Sequence, residues 1–229
     1  MAGDKVKLAV YDMDRTVTVG GTYTPFLLFV ARRMRPWRLL FAPLVLGAMA
    51  GYAIKLISRK RLKEINLSLL LGPRLSTAAL APHIEAYADR VMADNIYPKA
   101  VARIAEDQAA GYHVALCTAS YELYVDAIAR RVGIASADVI GTRLVEQGDM
   151  VLARIDGENC YDNAKLPRIA EWMAKIGVSR EAAHLRCYSD HVSDVSMLDL
   201  ADEPFATTPS PKLRAVAAAR GWPILDFSD

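Results

Sequence analysis

Asp12 and Asp14 stand two residues apart where the apolar stretch KLAVY ends, and Arg15 follows them at once. Two later apolar stretches also end in polar groups: HVALC leads into Thr118 and Ser120, and HLRCYS leads into Asp190 and Asp194. Two or three carboxylates at one edge make a hard oxygen site that suits Mg²⁺, which takes few protein ligands and keeps several waters. A bound cation also lets neighbouring acids stay ionised despite their repulsion. An ionised Asp can attack phosphorus and form an aspartyl phosphate, while a second carboxylate protonates the leaving group and later deprotonates water. Such chemistry needs a hydroxyl and an ammonium to hold the phosphoryl oxygens, and Thr118 and Lys165 are of those types.

These residues act together only if the fold brings them to one edge. Residues 5–11 and 113–120 read as buried strands, and between them the pattern is helical: TPFLLFVARRM, an uncharged run from Leu39 to Ile54, ISRKRLKEINLSLLLG, LSTAALAPHIEAYADRVMA and PKAVARIAEDQAAG. After His113 strands and helices alternate. DVIGTRLVEQ and MVLARI read as a strand pair around Gly148, KLPRIAEWMAKIG as a helix, HLRCYSD as a strand, VSDVSMLDLA as a helix, PFATT as a strand and PKLRAVAAARG as a last helix. Alternation of this kind predicts an α/β fold, a Rossmann-like parallel sheet with helices on both faces and ligands at the carboxyl ends of its strands. Taken singly, each residue also has a bland reading: the Asp pair caps a turn, Thr118 caps a helix, Lys165 is solvated. Their order makes the joint reading the stronger one.

Composition narrows the class. The chain has 229 residues, 53% hydrophobic and 24% charged, enough for a sizeable core. Three widely spaced cysteines, Cys117, Cys160 and Cys187, suit a reduced compartment and read as small buried hydrophobes. The chain opens into a strand without a secretory pattern, so a cytoplasmic location is expected. The net charge of +2 conceals an asymmetry: residues 31–63 hold nine basic side chains and no acid, leaving 19 basic against 26 acidic residues elsewhere. That polarity points to an anionic partner. The basic residues flank an apolar run instead of alternating with stacking aromatics, which argues against nucleic acid.

DMDRT at 12–16, Thr118 after its strand, Lys165 opening a helix, and YSDHVSDVSML at 188–198 resemble the four ordered motifs of the haloacid dehalogenase superfamily of phosphohydrolases. The long helical insertion resembles the C1-type cap of the subfamily that includes phosphoserine phosphatase, subfamily IB. The resemblance implies a catalytic core of residues 1–20 and 98–229 and an all-helical cap of residues 21–97. It further implies that Asp12 is the nucleophile and Asp14 the general acid and base. Mg²⁺ would be held by the Asp12 side chain, the Asp14 carbonyl and Asp190. Met13, Thr118, Ala119 and Lys165 would bind phosphate, with Asp194, Ser193 and Ser120 in support. Ser193 stands where many relatives have Asn, Ser189 and His191 replace smaller residues, and Arg15 replaces a common Gly, as a long cation facing away from the acid pair. His191 itself reads as a solvated loop residue.

Substrate choice falls to the insertion. Relatives that take phosphoserine resemble one another in placing a Glu soon after the first motif; here VGGTYTPFLLF has none, and the next acid is Glu64. The run from Leu39 to Ile54 would span about 24 Å as a helix, short of the roughly 30 Å hydrocarbon core, and Pro43, Gly47 and Gly51 interrupt it. Its basic flanks and Trp37 suit a segment lying on an anionic membrane surface. The pattern resembles the cap of bacterial phosphatidylglycerophosphate phosphatases, which implies a lipid phosphate as substrate and a peripheral location on the inner face of the membrane. Burial against neighbouring helices, or a dimer contact, fits the same run equally well. A small-metabolite phosphatase, a phosphotransferase and a membrane-surface regulatory module stay open as alternatives.

Overall fold

The computed structural model describes residues 5–228. Strand β1 (Val6–Asp12) is the centre of a six-stranded parallel sheet with β3 (His113–Tyr121), β4 (Val139–Thr142), β7 (Ala183–Ser189), β8 (Glu203–Thr207) and β9 (Ile224–Leu225), in the order β4-β3-β1-β7-β8-β9. Side chains alternate across it. Leu8, Val10, Ala115, Cys117, Leu185 and Cys187 enter one apolar cluster, while Ala9, Tyr11, Val114, Leu116 and Tyr188 enter the other. Helices α7 (Lys165–Lys175), α8 (Val195–Leu200) and α9 (Pro211–Arg220) cover the first face. Helices α5 (Pro98–Ala109) and α6 (Glu122–Arg131) cover the second. With both faces buried, the strands read as near-continuous apolar runs. All three cysteines are buried and free, as the apolar runs around Cys117 and Cys187 suggest for those two.

Between β1 and α5 run α1 (Tyr23–Met34), a 3₁₀ turn (Pro36–Phe41), α2 (Ala42–Ala53), α3 (Arg59–Leu70) and α4 (Thr77–Asp94). Phe26 of α1 stacks on Tyr124 of α6 with ring centroids 4.2 Å apart, so the insertion shares the second apolar cluster instead of closing a core of its own. Helix α2 is different: none of its residues is buried, and Leu44, Leu46 and Met49 are exposed. Arg35 and Arg38 donate to the carbonyls of Leu71, Ser68 and Leu69, which neutralises the C-terminal end of α3. Part of the basic surplus is therefore structural.

Two expectations need correction. The insertion is not wholly helical, because β2 (Arg74–Ser76) pairs antiparallel with β6 (Met150–Ile155). The segment DVIGTRLVEQ is two strands: β4 joins the main sheet, and after Arg143 the chain continues as β5 (Leu144–Gln147), antiparallel to β6. Strand β9, too short for a periodic signal, closes the sheet edge. The apolar run is broken into the 3₁₀ turn and α2, since Pro43 lacks the amide proton that would continue the turn into one helix. Among the described residues no helix is long and apolar enough to cross a membrane.

Candidate active site

The chain order reverses at β1: β3 lies on one side and β7 on the other, which opens a crevice at the carboxyl ends of the strands. Register does the rest. Asp12 pairs with Cys117, and Tyr11 with Tyr188, so Thr118 and Asp190 each arrive one residue past the level of Asp12. Past Cys117 the ladder of β3 slips before Tyr121, and Thr118, Ala119 and Ser120 occupy that irregular stretch.

A cavity of about 270 Å³ opens here, lined by Asp12, Thr118, Ala119, Lys165, Asp190 and Asp194 together with Asp14, Ser193 and the unassigned Arg15 and His191. The Lys165 amine lies 2.6 Å from Asp12 Oδ1 and 2.8 Å from Asp194 Oδ2, and Ser189 donates to the same Asp194 oxygen at 2.7 Å. Lys165 is 2% exposed. Burial works against its charge, but Asp12 and Asp194 outweigh it and hold the amine well above its ordinary value. Burial pushes the Asp12 carboxyl up, Asp194 and Asp190 push it further, and Lys165 opposes them. Asp190 is pushed up to about 6, by burial first and then by Asp194.

Asp14 faces elsewhere. Its Oδ1 accepts from the amide and the hydroxyl of Thr22, at 2.9 and 2.8 Å, and its Oδ2 from the Ser120 hydroxyl at 3.2 Å. Burial raises its carboxyl above the usual range despite these donors. Thr22 precedes α1, yet its hydroxyl makes no cap bond there because it is turned to Asp14. Nothing in the sequence singled Thr22 out, although its place ahead of a helix is an ordinary capping signal. Ser120 lies off the catalytic cavity, in its neighbour.

Met13 keeps its side chain out of the cavity. Its side chain is fully buried, it does not line the cavity, and its carbonyl accepts the amides of Thr16, Val17 and Thr18, so it shapes the turn after β1. Ser193 bonds to His191, whose Nδ1 meets both the hydroxyl and the amide of Ser193. No motif pointed to Arg59 and Tyr161, which also line the cavity, the guanidinium 3.7 Å above the ring.

Arg15 does not turn away from the acids. It lines the cavity, and its charge lowers the Asp190 carboxyl. Its φ of 67° is in the left-handed region. Glycine should fit that backbone better by about 1 kcal/mol. Arg15→Gly is therefore expected to raise the Tm while changing turnover of a small ester little. A loss as deep as that of Asp12→Asn would place Arg15 in the reaction itself.

The ligand atoms that Asp12, Asp190 and the Asp14 carbonyl can offer a cation are all oxygen. Among the described residues no three acidic, His or Cys side chains converge closely enough to cage an ion alone. Asp194 Oδ1 is buried without a partner. Two carboxylates and a main-chain carbonyl, with water completing the shell, fit Mg²⁺ better than a softer ion.

Comparison with known proteins agrees with this geometry. Residues 9–199 match the model of the haloacid dehalogenase-like hydrolases. An "Inhibition of morphological differentiation protein" of Streptomyces azureus is 35% identical over 58% of this chain and 46% of its own length. A phosphoserine phosphatase of Mycobacterium tuberculosis is 29% identical over 98% of this chain and 72% of its own. A Bordetella pertussis Tohama I protein of unknown function superimposes with a TM-score of 0.84 at 28% identity, covering 97% of this chain and 99% of that one. The chain spans about half the length of the first curated relatives it matches. With the sheet, the crevice and the matched residues 9–199 in agreement, the chain belongs to the haloacid dehalogenase-like hydrolase family.

Proposed function

We propose that the protein is a Mg²⁺-dependent phosphomonoester hydrolase of the phosphoserine phosphatase-like subfamily, IB, with residues 21–97 as its cap. The observation that carries this is Asp12 at the end of β1, held by Lys165 through one oxygen with the other free to attack. Asp12 bonds to phosphorus as the ester bond breaks, and the leaving oxygen takes a proton from Asp14, whose raised carboxyl suits a general acid. Asp14 then removes a proton from water, which attacks phosphorus, frees phosphate and restores Asp12. Thr118 and the Ala119 amide hold phosphoryl oxygens. Bound at Asp12, Asp190 and the Asp14 carbonyl, Mg²⁺ would neutralise phosphoryl charge. The test is acid quench during turnover of p-nitrophenyl phosphate: the peptide carrying Asp12 should gain a phosphate that hydroxylamine removes. Turnover without such a species would overturn the covalent route.

The same reading predicts how metal and pH interact. Asp190 is raised from its unfolded value to about 6, so in metal-free protein its contribution is favourable at low pH and is lost as pH rises through about 6. Mg²⁺ should therefore raise the Tm more at about pH 7.5 than at about pH 5, where it competes with the proton. Equal shifts measured by scanning calorimetry would refute a metal at Asp190.

A second reading concerns the substrate and rests on α2. Its exposed apolar side chains, with Leu40, Ile54, Leu56 and Trp37 at its ends, are flanked by Arg32, Arg33, Lys55 and Arg61. An anionic membrane surface is the partner that chemistry suits, with a lipid phosphate such as phosphatidylglycerophosphate as substrate and a site of action on the cytoplasmic face. The alternative is a soluble phosphorylated metabolite, as the name of the Mycobacterium relative suggests. Co-sedimentation with anionic vesicles, lost in Leu44→Ser/Leu46→Ser, would favour the membrane; no binding would leave the metabolite.

A further inference from the structure

A second cavity of about 270 Å³ adjoins the catalytic one and shares Asp14, Arg59 and Ala119 with it. Its walls are Leu27 of α1, Val45 and Met49 of α2, and Leu62 and Leu70 of α3. It lies on the side to which Asp14 turns its carboxylate, where the general acid must meet the departing oxygen.

Lys63 of α3 is the polar anchor of this cavity. Its amine donates to the Ala119 carbonyl at 2.5 Å and to Asn159 Oδ1 at 2.9 Å, and lies 4.4 Å over the Tyr121 ring. Its main-chain carbonyl accepts the hydroxyls of both Tyr23 and Tyr121. Two neutral acceptors satisfy two of the three protons of the charged amine, and the third has no hydrogen-bond acceptor among the described residues. Burial pushes the amine down to about 7, with Asp14 supporting its charge. Asn66, one helical turn on, lines the same cavity, and its amide oxygen accepts from nothing among the described residues.

Apart from Asp14, the described walls carry no acid. Thr22 and Ser120 already bond to that carboxylate. Glu64, beside Lys63 in sequence, is used elsewhere: it accepts the Ile155 amide at 3.0 Å and pairs with Arg61. An ammonium entering this space would meet Lys63 and Arg59 and no free partner.

Resting on the phosphomonoesterase reading, we propose that this cavity is the leaving-group subsite and that it takes an alcohol with an apolar chain and an oxygen acceptor beside the phosphate ester, held by Lys63. The oxygen accepts the spare Lys63 proton, the chain runs between α1, α2 and α3, and an aminated alcohol such as serine is disfavoured.

The test is steady-state kinetics with Mg²⁺ on p-nitrophenyl phosphate, O-phosphoserine, dodecyl phosphate and 1-dodecanoylglycerol 3-phosphate, the amphiphiles kept below micelle formation. The glycerol ester should exceed dodecyl phosphate in kcat/KM by at least about ten-fold, and dodecyl phosphate should exceed phosphoserine by as much again. Lys63→Met should erase the first preference, mainly through KM. Met49→Trp, on the half-exposed helix, should fill the cavity and lower both amphiphiles relative to phosphoserine. A preference for phosphoserine, or both ratios unmoved in both variants, overturns the subsite. No turnover of p-nitrophenyl phosphate by the wild type would instead overturn the hydrolase reading beneath it.

Discussion

Asp12→Asn is expected to cut turnover of p-nitrophenyl phosphate by at least about a thousand-fold, because the amide has no anionic oxygen with which to attack phosphorus. The fold should survive. Asn keeps an oxygen for the Lys165 amine, which now lies 2.6 Å from Asp12 Oδ1, and it keeps the shape of the residue it replaces. In the metal-free protein the variant should be at least as stable as the wild type, since burial, Asp194 and Asp190 together outweigh Lys165 and disfavour the ionised Asp12 carboxyl. Removing a charge that the folded state resists trades function for stability, as active-site residues often do. Full activity in the variant would remove Asp12 from the reaction, and unfolding would show that its charge is structural.

Lys165→Met should have the opposite balance, losing both activity and stability. The amine bridges two buried carboxylates, at 2.6 and 2.8 Å, and removing it leaves both without their cation. Breaking a buried pair in this way typically costs about 3–5 kcal/mol. The sign of the pH dependence follows. Without the amine the Asp12 carboxyl, already raised by burial, loses the cation that lowers it, so the variant is least impaired where Asp12 is protonated and loses stability as pH rises. Urea unfolding at about pH 5 and about pH 8 should show the larger deficit at the higher pH. Asp194→Asn added to Lys165→Met should restore part of the stability and none of the activity. Equal deficits at both pH values would mean that the ammonium does not offset the charge of Asp12 in the folded state.

The sheet and most of its elements were legible because they rest on local patterns. Strands β1, β3 and β7 are apolar runs ending in polar groups, and α5 begins at Pro98 with a regular apolar face. Ser120 and Met13 show what such reading leaves open. Each stands near a catalytic-type residue in sequence, yet the Ser120 side chain lines the neighbouring cavity and the Met13 side chain enters the core, because successive residues along extended backbone point in different directions. The strand β2 was hidden for another reason: three residues carry no period, and only pairing with β6 makes them extended.

By itself the sequence determined the class of chemistry. Residue type and order fix which groups can attack, move protons or carry charge, and the ends of three apolar runs mark one sheet edge. Tertiary structure decided what surrounds that chemistry. Lys63 reaches Ala119 across 56 positions, Arg59 stacks on Tyr161, and Thr22 turns its hydroxyl from its helix to Asp14. It also showed that Arg15 lines the acid cavity and that α2, apolar throughout, buries no residue in the core. Such contacts depend on how packed elements are placed against one another in three dimensions, and no spacing along the chain encodes that placement.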